Sequence, residues 1–117
     1  MALGSALGGL LRFACGRIWP AAPGEWPRAT IVVNLVGCFA IGIAYVWLLE
    51  RQAVSEPWRL FWISGVLGGF TTWSAFALET NLLYGAGLTA RALGYAVATV
   101  CGCLLAAWAG RALANLA

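Results

Sequence analysis

Four long apolar stretches, separated by three short polar connectors, make up nearly all of this 117-residue chain. They cover residues 2–19, 29–49, 58–84 and 89–112. A hydrocarbon core of about 30 Å calls for about 20 residues of helix at a rise of 1.5 Å each. The pattern therefore predicts an all-α membrane protein, a single domain over residues 1–117 with four transmembrane helices. The connectors agree with it. Residues 20–27 hold three prolines, Gly24 and Glu25, which stop a helix. Trp19 and Trp26 flank that turn at the depth where indoles favour the membrane–water boundary. Residues 50–57 are the most polar of the chain, and Pro57 after Ser55-Glu56 suits the first turn of the third helix. Gly85-Ala86-Gly87 ends that helix.

The third stretch breaks the pattern. From residue 65 to residue 76 it reads Gly-Val-Leu-Gly-Gly-Phe-Thr-Thr-Trp-Ser-Ala-Phe, where an unbroken apolar helix would be the default. Gly68 and Gly69 each weaken a helix by about 1 kcal/mol relative to alanine. Thr71 and Thr72 add β-branched stiffness and hydroxyls that compete for backbone partners. The expectation is a helix opened at Gly68-Gly69, with freed carbonyls to bind a cation and polar side chains lining a path. Non-helical backbone survives at membrane depth only inside protein or beside a cavity. The competing reading is a small-residue packing face on an intact helix.

Polar positions in the other stretches form rows. Thr30, Asn34 and Cys38 recur every four residues and share one helical face. So do Tyr95, Thr99 and Cys103 in the fourth stretch, one position round from a packing stripe of Ala98, Gly102, Ala106 and Gly110. Asn34 serves either to line a pore or to bond a neighbouring helix. Gly4 and Gly8, with Ser5 and Gly9, let another helix approach closely. Arg12 stands alone in the first stretch. A charge there either attracts anions or bonds the C-terminal carbonyls of a neighbouring helix. The structural role is preferred, because a bare fixed charge on an anion path would trap the ion.

Composition fixes the class and excludes others. Hydrophobic residues are 62% of the chain and charged residues 9%, and mean hydropathy is +0.86. A soluble domain carries about 25% charged residues, so this chain cannot clothe a water-facing surface. The first stretch lacks a preceding basic residue and contains Arg12, so it reads as a spanning segment and not as a cleavable signal. Histidine is absent, which rules out a Ser/His/Asp set, and no Cys or carboxylate cluster has metal-ligand spacing, so an enzyme is not expected. Cys15, Cys38, Cys101 and Cys103 fall within apolar stretches and read as small side chains with weak donors. With four spans, Arg51, Arg59 and Arg111 lie on one side and Arg17, Arg28 and Arg91 on the other. Three against three gives the positive-inside rule nothing to act on, so both orientations of insertion are expected.

The residues also resemble a known family. Gly68-Gly69-Phe70-Thr71-Thr72-Trp73-Ser74-Ala75-Phe76 is similar to the GGFTTFSTF signature of the bacterial fluoride channels, the Fluc family. Gly8-Gly9-Leu10-Leu11-Arg12, the run from Thr30 through Asn34-Leu35 to Gly37-Cys38-Phe39 and Gly42, and the Tyr95, Thr99, Cys103 row support the match across all four stretches. The resemblance implies a passive fluoride export channel of the bacterial cytoplasmic (inner) membrane, built as an antiparallel dual-topology dimer in lipid. The partner is a second copy or a paralogue; no nucleic acid is involved. It implies a structural sodium ion at the dimer centre, held by the backbone carbonyls of Gly68 and Thr71. Trp73 and Phe76 fall on the two signature phenylalanines that offer ring edges to fluoride, and edges of aromatic rings are positive. Ser74, Thr30, Asn34, Tyr95, Thr99 and Cys103 would line the pore as donors. Trp73, Ala75 and Ala77 depart from the family's Phe, Thr and Ser, and Cys103 is a weaker donor than the usual hydroxyl.

Two other classes fit less of the chain. A small four-span multidrug or cation exporter needs an intramembrane carboxylate for proton exchange, whereas the first stretch offers Arg12, and Glu79 lies toward the end of the third. A non-transporting membrane assembly protein leaves residues 68–76 unexplained.

Overall fold

The computed structural model describes residues 1–117, and every regular element in it is helical. Helix α1 (Ala2–Ile18) is followed by the proline turn and by α2 (Arg28–Ala44), which continues as a π-helical turn over Tyr45–Glu50. The third segment starts as α3 (Glu56–Arg59), runs through π-helical Leu60–Leu67 into α4 (Gly68–Phe70), and stops. It resumes as α5 (Trp73–Gly85), and α6 (Thr89–Leu116) completes the chain. Pro57 sits in the first turn of α3, where its missing N–H is not needed. Gly87 adopts a φ of +80° in the turn between α5 and α6, a conformation that favours glycine.

Three helical runs, Arg28–Glu50, Glu56–Gly85 and Thr89–Leu116, are long and apolar enough to cross a membrane. Helix α1, with 17 residues, is about 25 Å long and is shorter than that standard. Only 17 of 117 residues are buried, so most large apolar side chains, Leu3, Phe13, Leu104 and Trp108 among them, face outward. Such a surface suits lipid or another membrane-embedded chain, not water.

Two close helix pairings organise the packing. Helix α2 lies along α6, and α1 lies along residues 60–70. A Cβ on Gly4 or Gly8 would collide with the carbonyl oxygen of Phe61 or Val66. One on Gly42 or Gly110 would collide with that of Ala107 or Phe39. Small residues are therefore needed where backbone meets backbone. Two details differ from the sequence reading: Gly9 faces open space, and Ala98 is exposed, so the stripe in α6 starts at Gly102.

The break also lies elsewhere than expected. Gly68 is helical, with φ −63° and ψ −37°. The chain leaves the helix at Thr71 (φ −76°, ψ 158°) and Thr72 (φ −148°, ψ 118°), both extended. Extended backbone is where β-branched side chains sit comfortably. Gly69 is required for a different reason: a Cβ there would lie 2.5 Å from the carbonyl oxygen of Ser5 in α1.

Candidate functional site

Two extended residues in mid-membrane need hydrogen-bond partners that a helix would otherwise supply. Asn34, buried in α2, provides them. Its Nδ2 donates to the Thr72 carbonyl at 2.9 Å, and its Oδ1 accepts from the Thr72 N–H at 2.8 Å. The threonine hydroxyls close the two helix ends. Thr71 Oγ1 donates to the Leu67 carbonyl at 3.1 Å, and Thr72 Oγ1 accepts from the Ala75 N–H at 3.2 Å as the N-cap of α5. Arg12 Nε donates to the Gly69 carbonyl at 3.1 Å, joining α1 to the end of α4. An unbroken helix would have aimed the Thr72 N–H at Gly68 O and the Ala75 N–H at Thr71 O. Asn34 and Thr72 Oγ1 take both donors, so Gly68 and Thr71 each lose their regular partner.

Helices α2 and α6 run parallel and in register. Trp26 Nε1 donates to the Arg91 carbonyl at 3.1 Å, and along the seam Leu35 meets Gly102, Gly42 meets Ala107 and Phe39 meets Gly110, at offsets of 65 to 71 positions. Along this seam Thr30 and Tyr95 converge on Glu79, Asn34 and Thr99 line one groove, and Cys38 neighbours Cys103. The polar rows seen in the sequence thus form three rungs. The first rung is joined by Glu79 of α5: Thr30 Oγ1 donates to Oε1 at 2.7 Å and the Tyr95 hydroxyl to Oε2 at 3.5 Å. In the sequence Glu79 lies toward the end of the third stretch, with no local sign of these partners. Its signal is the spacing of Phe76, Glu79 and Leu83, which places all three on one face of α5. At the second rung Thr99 is 5% exposed, and its buried hydroxyl has no hydrogen-bond partner.

A groove of about 380 Å³ opens beside the break. It is lined by Gly68, Thr71, Trp73 and Phe76 from the third segment, and by Asn34 and Thr99 with the Cys38–Cys103 rung below them. Thr30 and Tyr95 do not line it and lie one rung beyond. Ser74 is exposed outside it, 3.4 Å from Thr72 Oγ1. Phe76 is buried between Trp73 and Tyr95, with ring centroids at 4.9 and 5.2 Å. Trp73 by contrast is 71% exposed.

A broken helix held beside paired polar rows defines a polytopic helical membrane protein with its site between helices. The particular family is equally plain. The chain belongs to the family described as CrcB-like protein, Camphor Resistance (CrcB), whose profile matches residues 1–111. A protein of Pseudomonas fluorescens is 48% identical over 117 residues, covering 97% of this chain and 92% of that one. A second, from Stutzerimonas stutzeri, is 45% identical over 120 residues, covering 99% and 94%. A third, from Chloroflexus aurantiacus, is 42% identical over 108 residues, covering 91% and 85%. Each of the three is named a fluoride-specific ion channel, FluC.

Removing Asn34 tests the clamp. Asn34→Ala leaves the Thr72 N–H and carbonyl buried without partners, a loss of about 2–6 kcal/mol at about 1–3 kcal/mol per group. The thermal unfolding midpoint in detergent should fall markedly. Asn34→Asp, held protonated at membrane depth and so still able to accept from the Thr72 N–H and donate to its carbonyl, should fall less. An unchanged midpoint in Asn34→Ala contradicts the clamp.

Proposed function

We propose that this chain is a passive fluoride-specific channel of the bacterial cytoplasmic membrane, exporting fluoride and so limiting its toxicity. Two four-span copies pair antiparallel, with a structural sodium ion between their breaks. The names of the relatives support fluoride as the ion. The observation that carries the reading is the second rung. Asn34 uses one amide N–H on Thr72 and keeps another, and the Thr99 hydroxyl is unpartnered beside it. Both residues line the groove next to the ring of Phe76. Neutral donors and a ring edge can replace water around a small anion without the trapping effect of a fixed charge. Arg12, bonded to Gly69, is kept for structure.

Helix α1 serves as the fourth span because it packs lengthwise on residues 60–70, which cross the membrane. The balanced arginines support dual topology. At one end Arg91 Nη1 bonds the Gly24 carbonyl at 2.8 Å and Arg28 pairs with Glu25 at 2.9 Å. At the other Arg51 bonds the Ala114 carbonyl at 3.1 Å and Arg111 pairs with Glu50 at 3.5 Å. Neither end outweighs the other in positive charge. Glu79 is the carboxylate that a proton-coupled exporter would need, but Thr30 and Tyr95 hold its two oxygens. The fluoride test therefore includes a pH-gradient arm.

Fluoride efflux from liposomes checks the channel. Wild type should release fluoride but not chloride, at a rate indifferent to an imposed pH gradient. Phe76→Ile, assembled as wild type on size-exclusion chromatography, should slow efflux at least tenfold, a barrier rise of about 1.4 kcal/mol. Wild-type conduction by that variant contradicts the ring-edge role, and dependence on the pH gradient favours the exporter.

The cation reading rests on Gly68 and Thr71, the carbonyls that lose their helix partners. Gly68 is exposed, and a Cβ there would meet only Ile63 O at 3.7 Å, so nothing inside the protomer demands its small size. An ion and a second copy on that face would. Four neutral oxygens, two from each copy, suit a monovalent ion better than a strongly hydrated divalent one. Replacing sodium by a large organic cation should lower the dimer's melting temperature. Anomalous scattering from a heavier monovalent substitute should place one ion between two antiparallel copies. No shift and no such peak would remove both the ion and the arrangement built on it.

A further inference from the structure

The third rung, Cys38 facing Cys103, has chemistry that the first two rungs do not use. We propose that it is a two-coordinate site for a soft divalent metal ion of the mercuric kind. The thiols sit on the facing sides of two parallel helices packed closely together. Leu35 touches Gly102 on one side, and Gly42 meets Ala107 and Gly110 meets Phe39 on the other, so the rung cannot spread. Each thiol is the other's neighbour, both are free, and both line the groove. Partial exposure leaves them open to an ion from that side.

Ligand count and charge choose the metal. Thiolate sulfur selects soft ions. No third Cys, His, Asp or Glu gathers with this pair, so the tetrahedral set that zinc prefers cannot be completed. An ion content with two ligands in line is the one that fits. Two thiolates around a divalent ion are neutral overall, whereas a monovalent ion would leave a net negative charge at membrane depth, which is costly. On binding, both S–H bonds break, two metal–sulfur bonds form and two protons leave to water; no electron is transferred. The bridge ties α2 to α6 one helical turn from Thr99. If the groove is the fluoride path, a point that rests on the proposed function, it also blocks conduction.

The test uses the full chain in detergent with mercuric chloride, read by native mass spectrometry and by mercury–sulfur charge-transfer absorbance. A Cys15→Ser/Cys101→Ser protein should take up one mercury per chain with loss of two protons, the mass of a bridged dithiolate. Adding Cys38→Ser or Cys103→Ser to it should convert this to a chloride-bearing single-thiol adduct. Its binding should weaken by more than the roughly 10- to 100-fold typical of losing an outer-shell partner. Single-thiol adducts in the Cys15→Ser/Cys101→Ser protein itself would overturn the site. In liposomes, one bound equivalent should stop efflux, and replacing both Cys38 and Cys103 by serine should remove that sensitivity. Undiminished efflux from the bridged protein overturns the block. Absence of efflux before any mercury is added refutes the channel reading and leaves the mass result to decide the site.

Discussion

Two hydrogen bonds between Asn34 and Thr72 allow the rest of this molecule to be arranged as it is. A residue in extended conformation at membrane depth has no water to satisfy its N–H and carbonyl. Asn34 meets both needs from a neighbouring helix, at 2.8 and 2.9 Å, doing for one residue what a second strand does for a sheet. Each group left unpaired would cost about 1–3 kcal/mol, comparable to a large part of a domain's net stability. Without the clamp, the favourable course for the segment is to rejoin its helix.

The consequences spread outward from that point. Because Asn34 takes the Thr72 N–H and Thr72 takes the Ala75 N–H, the carbonyls of Gly68 and Thr71 lose their helix partners. Because α5 restarts after the break, Phe76 and Glu79 turn toward α6 and meet Tyr95. Because Asn34 is itself one rung of the α2–α6 ladder, the break is fixed at the level of Thr99, where the unpartnered hydroxyl lies. Arg12 steadies the opposite side of the break by holding the Gly69 carbonyl. One asparagine thus sets the position of the groove, its lining and the free carbonyls together.

The four apolar stretches could be read directly, since hydropathy and the proline and glycine connectors mark them without help from tertiary structure. The rows Thr30/Asn34/Cys38 and Tyr95/Thr99/Cys103 were legible as helical faces, but their alignment depends on interhelical register, which neither row contains alone. Propensity places the break at Gly68-Gly69, because glycine weakens any helix. The structure keeps both glycines helical and opens at Thr71 and Thr72, where the cross-helix bonds are. Gly69 is small for Ser5, a contact 64 positions away that no local pattern reveals. Glu79 is hidden for the same reason: its partners Thr30 and Tyr95 are 49 and 16 positions distant. Arg12 was easier, since an isolated intramembrane arginine needs an acceptor and helix-terminal carbonyls are the usual ones.

The claim on which everything else stands is that the third helix is broken at Thr71 and Thr72 and clamped there by Asn34. Solid-state NMR of the isotopically labelled protein in lipid bilayers addresses it directly. The account predicts extended-backbone carbon shifts at Thr71 and Thr72, flanked by helical shifts at Gly68 and Ala75. It also predicts a through-space correlation between the Asn34 side-chain amide and the Thr72 backbone. Helical shifts running unbroken from Gly68 to Ala75, with no Asn34–Thr72 correlation, would contradict it.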